Sequence, residues 1–201
     1  MKIAVFVSGR GSNLNAILNS PDLKNLVEVI AVVSDKIDCK AFGIAKEFGI
    51  KTFTVGDGEG KINQNEITSV LKILGVNFIV LAGYLKLIPN ELVEHFENRI
   101  INIHPALLPS FGGKGMYGLN VHRAVFNSSA KVSGATVHMV DKTYDTGKII
   151  TQKCVDISDV NSPEEIAEKV LRVEHQILPD VVKAFAENKI CIEENRIKIL
   201  N

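Results

Sequence analysis

Ile3-Ala4-Val5-Phe6-Val7-Ser8-Gly9-Arg10-Gly11-Ser12-Asn13-Leu14 begins as an unbroken apolar run and passes through two glycines into a segment of helical composition. Short β-branched runs that do not alternate with polar residues are strands covered on both faces, the condition of a parallel sheet. Val27 to Val33, Phe78 to Leu81 and Ile100 to Ile103 have the same character. Between and after these runs the chain has segments long enough to cross back as helices, at Asn13 to Ser20, Lys40 to Phe48, Asn63 to Leu74 and Asn90 to Phe96. Strand alternating with helix predicts an α/β fold, a mainly parallel twisted sheet flanked by helices. From Lys131 the pattern changes. Val132, Ala135, Val137 and Met139, then Ile150 and Val155, are spaced for antiparallel C-terminal strands with one wetter face, extending the sheet as a hairpin. Ser162-Pro163-Glu164-Glu165 is a helix start, with Ser162 as cap, Pro163 at the first helical position and Glu165 closing a capping box. Ile166, Val170, Val173, Ile177 and Val181 follow at helical spacing, with a kink or break expected near Pro179.

The 201 residues are 46% hydrophobic and 23% charged, close to the globular averages of about 45 to 50% and about 25%. A single domain over 1–201 is expected. The 23 Lys and Arg balance the 23 Asp and Glu, leaving no net charge. No global field draws the chain to a nucleic acid polymer or an anionic membrane, so small-molecule substrates are expected. Cys39, Cys154 and Cys191 are odd in number and show no metal-ligand spacing, which reads as reduced thiols. The first apolar run is too short for a signal-peptide core, and no stretch approaches the roughly 20 apolar residues of a membrane span. A cytoplasmic location is the expectation. The sequence leaves the oligomeric state open.

Ligands of open parallel sheets bind beyond the carboxyl ends of the strands. Three unusual segments lie there. Ser8 to Asn13 can bring backbone N–H groups to an anion, or can be a tight turn with Ser12 or Asn13 as helix cap. Leu14 stands where a dinucleotide fingerprint has its third glycine, which favours a phosphate over a dinucleotide. Leu85, Lys86, Leu87 and Ile88 offer backbone polar groups and apolar cover for a flat ligand. Asn102 and His104, two apart at a strand end, face the same side and pair a permanent amide donor with a proton-transfer group. Gly112, Gly113, Gly115 and Gly118 suggest a loop over the site. Asp141 and Asp145 both lie in a polar turn, and spacing does not choose between them as partner of His104. A carboxylate beside that imidazole is expected to raise its pKa.

Ser-Gly-Arg-Gly-Ser-Asn-Leu at 8–14, Leu81-Ala82-Gly83-Tyr84, Asn102-Ile103-His104-Pro105-Ala106-Leu107-Leu108-Pro109, Gly134-Ala135-Thr136-Val137-His138 and Asp145-Thr146-Gly147 together resemble the phosphoribosylglycinamide formyltransferases, folate-dependent enzymes of purine synthesis. The resemblance covers nearly the whole chain. It implies a formyltransferase-type Rossmann-like fold, 10-formyltetrahydrofolate as formyl donor and no metal. It also implies Asn102, His104 and Asp145 as the catalytic group. Gly11, Ser12 and Asn13 would hold the substrate phosphate, Glu174 would lie near the ribose, and Leu85 to Ile88 would line the folate cleft beside Asn102. The family's folate-contacting arginine has no counterpart in Gly60 to Gln64, where Lys61 is the basic residue. A polar ribose-side position is Leu171 here. A hydrolase of the same formyl donor, another formyl acceptor, or an NAD-dependent oxidoreductase using Gly9, Gly11 and Asp35 are the alternatives.

Overall fold

A computed structural model describes residues 1–200. The elements run β1 (Lys2–Phe6), α1 (Ser12–Leu18), β2 (Glu28–Ser34), α2 (Ala41–Glu47), β3 (Lys51–Thr54), α3 (Ile67–Ile73), β4 (Phe78–Leu81), α4 (Asn90–His95) and β5 (Ile100–His104). They continue with α5 (Leu119–Asn127), β6 (Val132–Met139), β7 (Ile149–Asp156), α6 (Pro163–Ala186), β8 (Ile190–Ile192) and β9 (Ile197–Ile199). Seven strands form one sheet in the order β3-β2-β1-β4-β5-β6-β7, and β8 pairs antiparallel with β9. The chain divides into two compact units, Met1–Asn102 and Ile103–Asn201.

In the first unit every recorded strand pairing is parallel. Val5 lies opposite Val32 and Val80, and Val80 opposite Ile101. Ile3, Ala4, Val5, Ala31, Val32, Val33, Ile79 and Val80 are all fully buried, as strands covered on both faces must be. The register also aligns Phe6 with Leu81, and Leu81 with Asn102. The residues that follow Phe6 and Leu81, and Asn102 itself, therefore share the carboxyl edge of the sheet. Because the order reverses between β1 and β4, that edge has a topological switch point there.

β3 is a strand beyond those the sequence predicts. Lys51 and Thr52 are exposed and Phe53 and Thr54 only half-buried, so this edge strand lacks the apolar run of its neighbours.

In the second unit β6 and β7 pair antiparallel, with Thr136 opposite Gln152. The wetter face expected of both strands belongs to β7 alone. β6 is buried from Ser133 to Met139. The cap of α6 forms, Ser162 Oγ accepting from Glu165 N at 3.2 Å, but the return bond of the expected capping box is displaced by one residue, Glu165 Oε2 accepting from Asn161 N at 3.0 Å instead of from Ser162 N. The break expected at Pro179 does not occur, and α6 continues to Ala186. Proline within a helix costs about 3 kcal/mol, whereas burying one Leu or Val side chain gains about 1.5–3 kcal/mol. Leu178, Val181 and Val182 are all fully buried around Pro179, so packing outweighs the lost backbone bond.

Candidate active site

Gly11 has φ 79 and occupies the N-cap of α1, the place the sequence offered to Ser12 or Asn13; Ser12 is instead the first helical residue. A Cβ on Gly11 would lie 2.7 Å from Ala41 Cβ, so left-handed backbone and close packing on α2 both demand glycine. Asn13 is buried, and Ser12 is half-buried. Beyond β4, Leu85 to Ile88 form no helix or strand. Leu85 is half-buried, Lys86 and Leu87 are exposed, and Ile88 is buried.

His104 ends β5 and is only 3% exposed; Asn102, two residues earlier, is half-buried. Strand alternation thus places amide and imidazole on one face. The choice that spacing left open is settled by distance. Asp145 Oδ2 lies 3.6 Å from His104 Nδ1, whereas Asp141 Oδ1 accepts from Thr143 N at 2.9 Å and is also bonded by Thr146 Oγ1. Asp141 is a turn residue, satisfied within its own turn.

Asp145 is held on several sides. Its Oδ2 accepts from Gly113 N at 2.8 Å, and its Oδ1 lies 3.6 Å from His138 Nε2. Gly112 packs so closely here that a Cβ would meet Leu108 Cδ2 at 2.5 Å and Asp145 Cβ at 3.3 Å. The first part of the glycine-rich segment is therefore anchored against the carboxylate. Burial works to raise the Asp145 pKa, but the contact with His138, the positive character of His104 and the Gly113 N–H outweigh it and hold it below its ordinary value.

His104 behaves otherwise than expected. Burial pushes its pKa below 6.5 and outweighs the upward pull of Asp145 and of the Phe111 carbonyl. Nε2 lies 2.9 Å from that carbonyl and Nδ1 faces the carboxylate. Both ring nitrogens thus face acceptors. The neutral ring satisfies one of them and the imidazolium both, so the site disfavours the cation by burial while offering it two partners. Such a ring is poised to take up a proton and give it back.

Two residues of this cluster were not singled out as site residues. His138 on β6 is 2% exposed, with Nδ1 2.7 Å from Met139 O, which leaves Nε2 towards Asp145. His122 on α5 is buried, its Nδ1 has no hydrogen-bond partner, and burial followed by the charge of His104 lowers its pKa to about 4. The period-two spacing of Thr136 and His138 was the available signal for the first. The second carries no such signal, because α5 lies outside the helices that the sequence predicts. Glu174 sits on α6, 8% exposed, one turn from the buried Val170 and Ile177. Leu171 is half-buried on the same helix, and Lys61 is half-buried, its chain 3.4 Å from where a Gly56 Cβ would stand. Among the described residues no group of three or more His, Cys, Asp or Glu is arranged to hold a metal ion. No described helix is long and apolar enough to cross a membrane.

Residues 1–182 match the family model described as formyl transferase. The chain belongs to the formyl transferase family. One relative is the chloroplastic phosphoribosylglycinamide formyltransferase of Arabidopsis thaliana, 43% identical over an alignment covering 99% of this chain and 70% of that protein. The phosphoribosylglycinamide formyltransferase of Bacillus subtilis is 37% identical over 90% of this chain and 93% of its own length. Among solved structures, that of phosphoribosylglycinamide formyltransferase from Anaplasma phagocytophilum superposes with a TM-score of 0.89 at 32% identity, covering 100% of this chain and 93% of that one. The mostly parallel seven-stranded sheet with its flanking helices is thus a formyltransferase fold.

Proposed function

We propose that this chain transfers the formyl group of 10-formyltetrahydrofolate to the amine of phosphoribosylglycinamide, a step of purine synthesis. The observation that carries the reading is the buried His104–Asp145 pair at 3.6 Å, two residues beyond Asn102 on β5, in a chain whose relatives bear that enzyme's name.

The chemistry asks for these groups. The acceptor amine loses one proton, the donor nitrogen gains one, and the formyl oxygen gathers negative charge in between. Asn102 supplies a permanent N–H donor to that oxygen. His104, neutral in the free protein, accepts the amine proton at Nε2 once the substrates take the place of the Phe111 carbonyl there, is stabilised as imidazolium by Asp145 at Nδ1, and passes the Nε2 proton to the departing nitrogen. No metal or redox carrier enters this transfer. Gly11, Ser12 and Asn13 hold the substrate phosphate through backbone N–H groups and short polar side chains, and Glu174 accepts from ribose hydroxyls. Leu85, Lys86, Leu87 and Ile88 cover the folate ring system beside Asn102. With no net charge, the chain acts on small molecules without engaging nucleic acid polymers. Its free cysteines suit the reducing cytoplasm.

The test follows tetrahydrofolate release by the purified chain from 10-formyltetrahydrofolate, with and without phosphoribosylglycinamide, in the absence of added metal or NAD. Turnover only with the acceptor is expected. Release that ignores the acceptor would make the chain a hydrolase of the same donor.

A further inference from the structure

Ser8 lies between β1 and α1 at 3% exposure, with its backbone N–H and its hydroxyl both hydrogen-bonded. Its N–H donates to Gly83 O at 3.0 Å and its hydroxyl donates to Asp35 Oδ1 at 2.6 Å. The same oxygen accepts from Leu85 N at 3.0 Å. A hydroxyl that gives its only hydrogen to a carboxylate presents its lone pairs in one direction, so Asp35 aims Ser8 at Leu85. From the other side Gln64 Nε2 donates to Leu87 O at 2.9 Å. The stretch Leu85 to Ile88 belongs to no helix or strand, so these two bonds take the place of regular structure in setting its backbone. Tyr84, just before it, packs edge-on against Phe6 with ring centroids 5.3 Å apart.

We propose that Ser8, oriented by Asp35, and Gln64 are positioning residues that set the backbone of Leu85 to Ile88 and thereby the affinity for the formyl donor. The inference rests on the assignment of that stretch as the folate wall. It gives Asp35 a role unrelated to any dinucleotide. Neither Ser8 nor Gln64 takes part in proton transfer, so the effect belongs to binding and not to turnover.

The experiment compares the unmodified chain with Ser8→Ala, Asp35→Asn and Gln64→Glu, the last replacing the N–H donor of a half-buried side chain with a carboxylate oxygen of the same shape. Steady-state kinetics give KM and kcat, and calorimetry gives the dissociation constants of tetrahydrofolate and of phosphoribosylglycinamide. Ser8→Ala is expected to raise the formyl-donor KM and the tetrahydrofolate dissociation constant about tenfold, the cost of one hydrogen bond near a charge. Its kcat and its phosphoribosylglycinamide affinity should change by no more than about twofold. Asp35→Asn should move the same constants by a smaller factor, and Gln64→Glu by about threefold. Equal weakening of both ligands, or an unchanged tetrahydrofolate constant in Gln64→Glu, overturns the proposal. The second outcome decides even if Ser8→Ala does not fold. An unmodified chain that neither turns over nor binds tetrahydrofolate would sink the functional reading and this one together. An active unmodified chain with unaltered variants sinks this one alone.

Discussion

His104 joins two opposed tendencies in one ring. Burial lowers its pKa while the Asp145 carboxylate and the Phe111 carbonyl raise it. If it relays the proton, His104→Ala should lower kcat about 100- to 10,000-fold, the usual contribution of a positioned general acid–base, with far smaller effects on substrate binding. Turnover near that of the unmodified chain would make it a structural histidine. On the same proposal the acid limb of kcat/KM is expected to follow His104. Since the free ring must be neutral to accept a proton and its pKa lies below 6.5, activity should fall only as pH drops below that value. Asp145→Asn keeps the size of the side chain but removes the charge that supports the imidazolium, so the His104 pKa should fall further and the limb should move to lower pH. Asp141→Asn should leave both in place, because Asp141 bonds Thr143 and Thr146 in its own turn. NMR titration of His104 in the two variants measures this. A larger shift from Asp141→Asn would transfer the role.

Elements were legible where one physical requirement dominated. The central strands announce themselves because burial on both faces leaves only apolar residues, and the start of α6 because cap, proline and glutamate coincide. β3 carries no such signal, being four residues at an exposed edge. α5 was lost behind Gly112 to Gly118, although Val121 and Val125 repeat at helical spacing. Of the candidate site, the strand-end pair Asn102 and His104 could be read from alternation, while spacing left either turn aspartate within reach of the imidazole, and only the resemblance pointed to Asp145, which the distance of 3.6 Å now places beside His104. The best-read element allows a firm prediction. Ser162→Ala removes the bond from Glu165 N that caps α6, and should destabilise the chain by about 1 kcal/mol in denaturant unfolding. Ser162→Asp, which restores an acceptor at a helix N-terminus, should recover most of it. No loss in Ser162→Ala would mean that Pro163 and the buried stripe determine the start of α6 without the cap.

For the whole molecule, acid acts through two sets of groups that share a sign. His122, with a pKa of about 4, and His104 and His175, also lowered by burial, refuse protons that the unfolded chain accepts near pH 6.5. The unfolded state then binds more protons, so stability declines as pH falls from about 6.5 towards 4. Asp145 and Asp141, held below 3.8, add a second decline as their carboxylates are protonated at lower pH. The melting temperature should therefore begin to drop near pH 6.5, well before the carboxylates titrate. His122→Gln keeps a polar side chain that does not titrate, and should flatten the curve between pH 6.5 and 4 while leaving the steeper fall below pH 4. A melting curve flat from pH 7 to 4 would mean that the buried imidazoles take up protons in the folded state, and would remove the basis for a neutral His122.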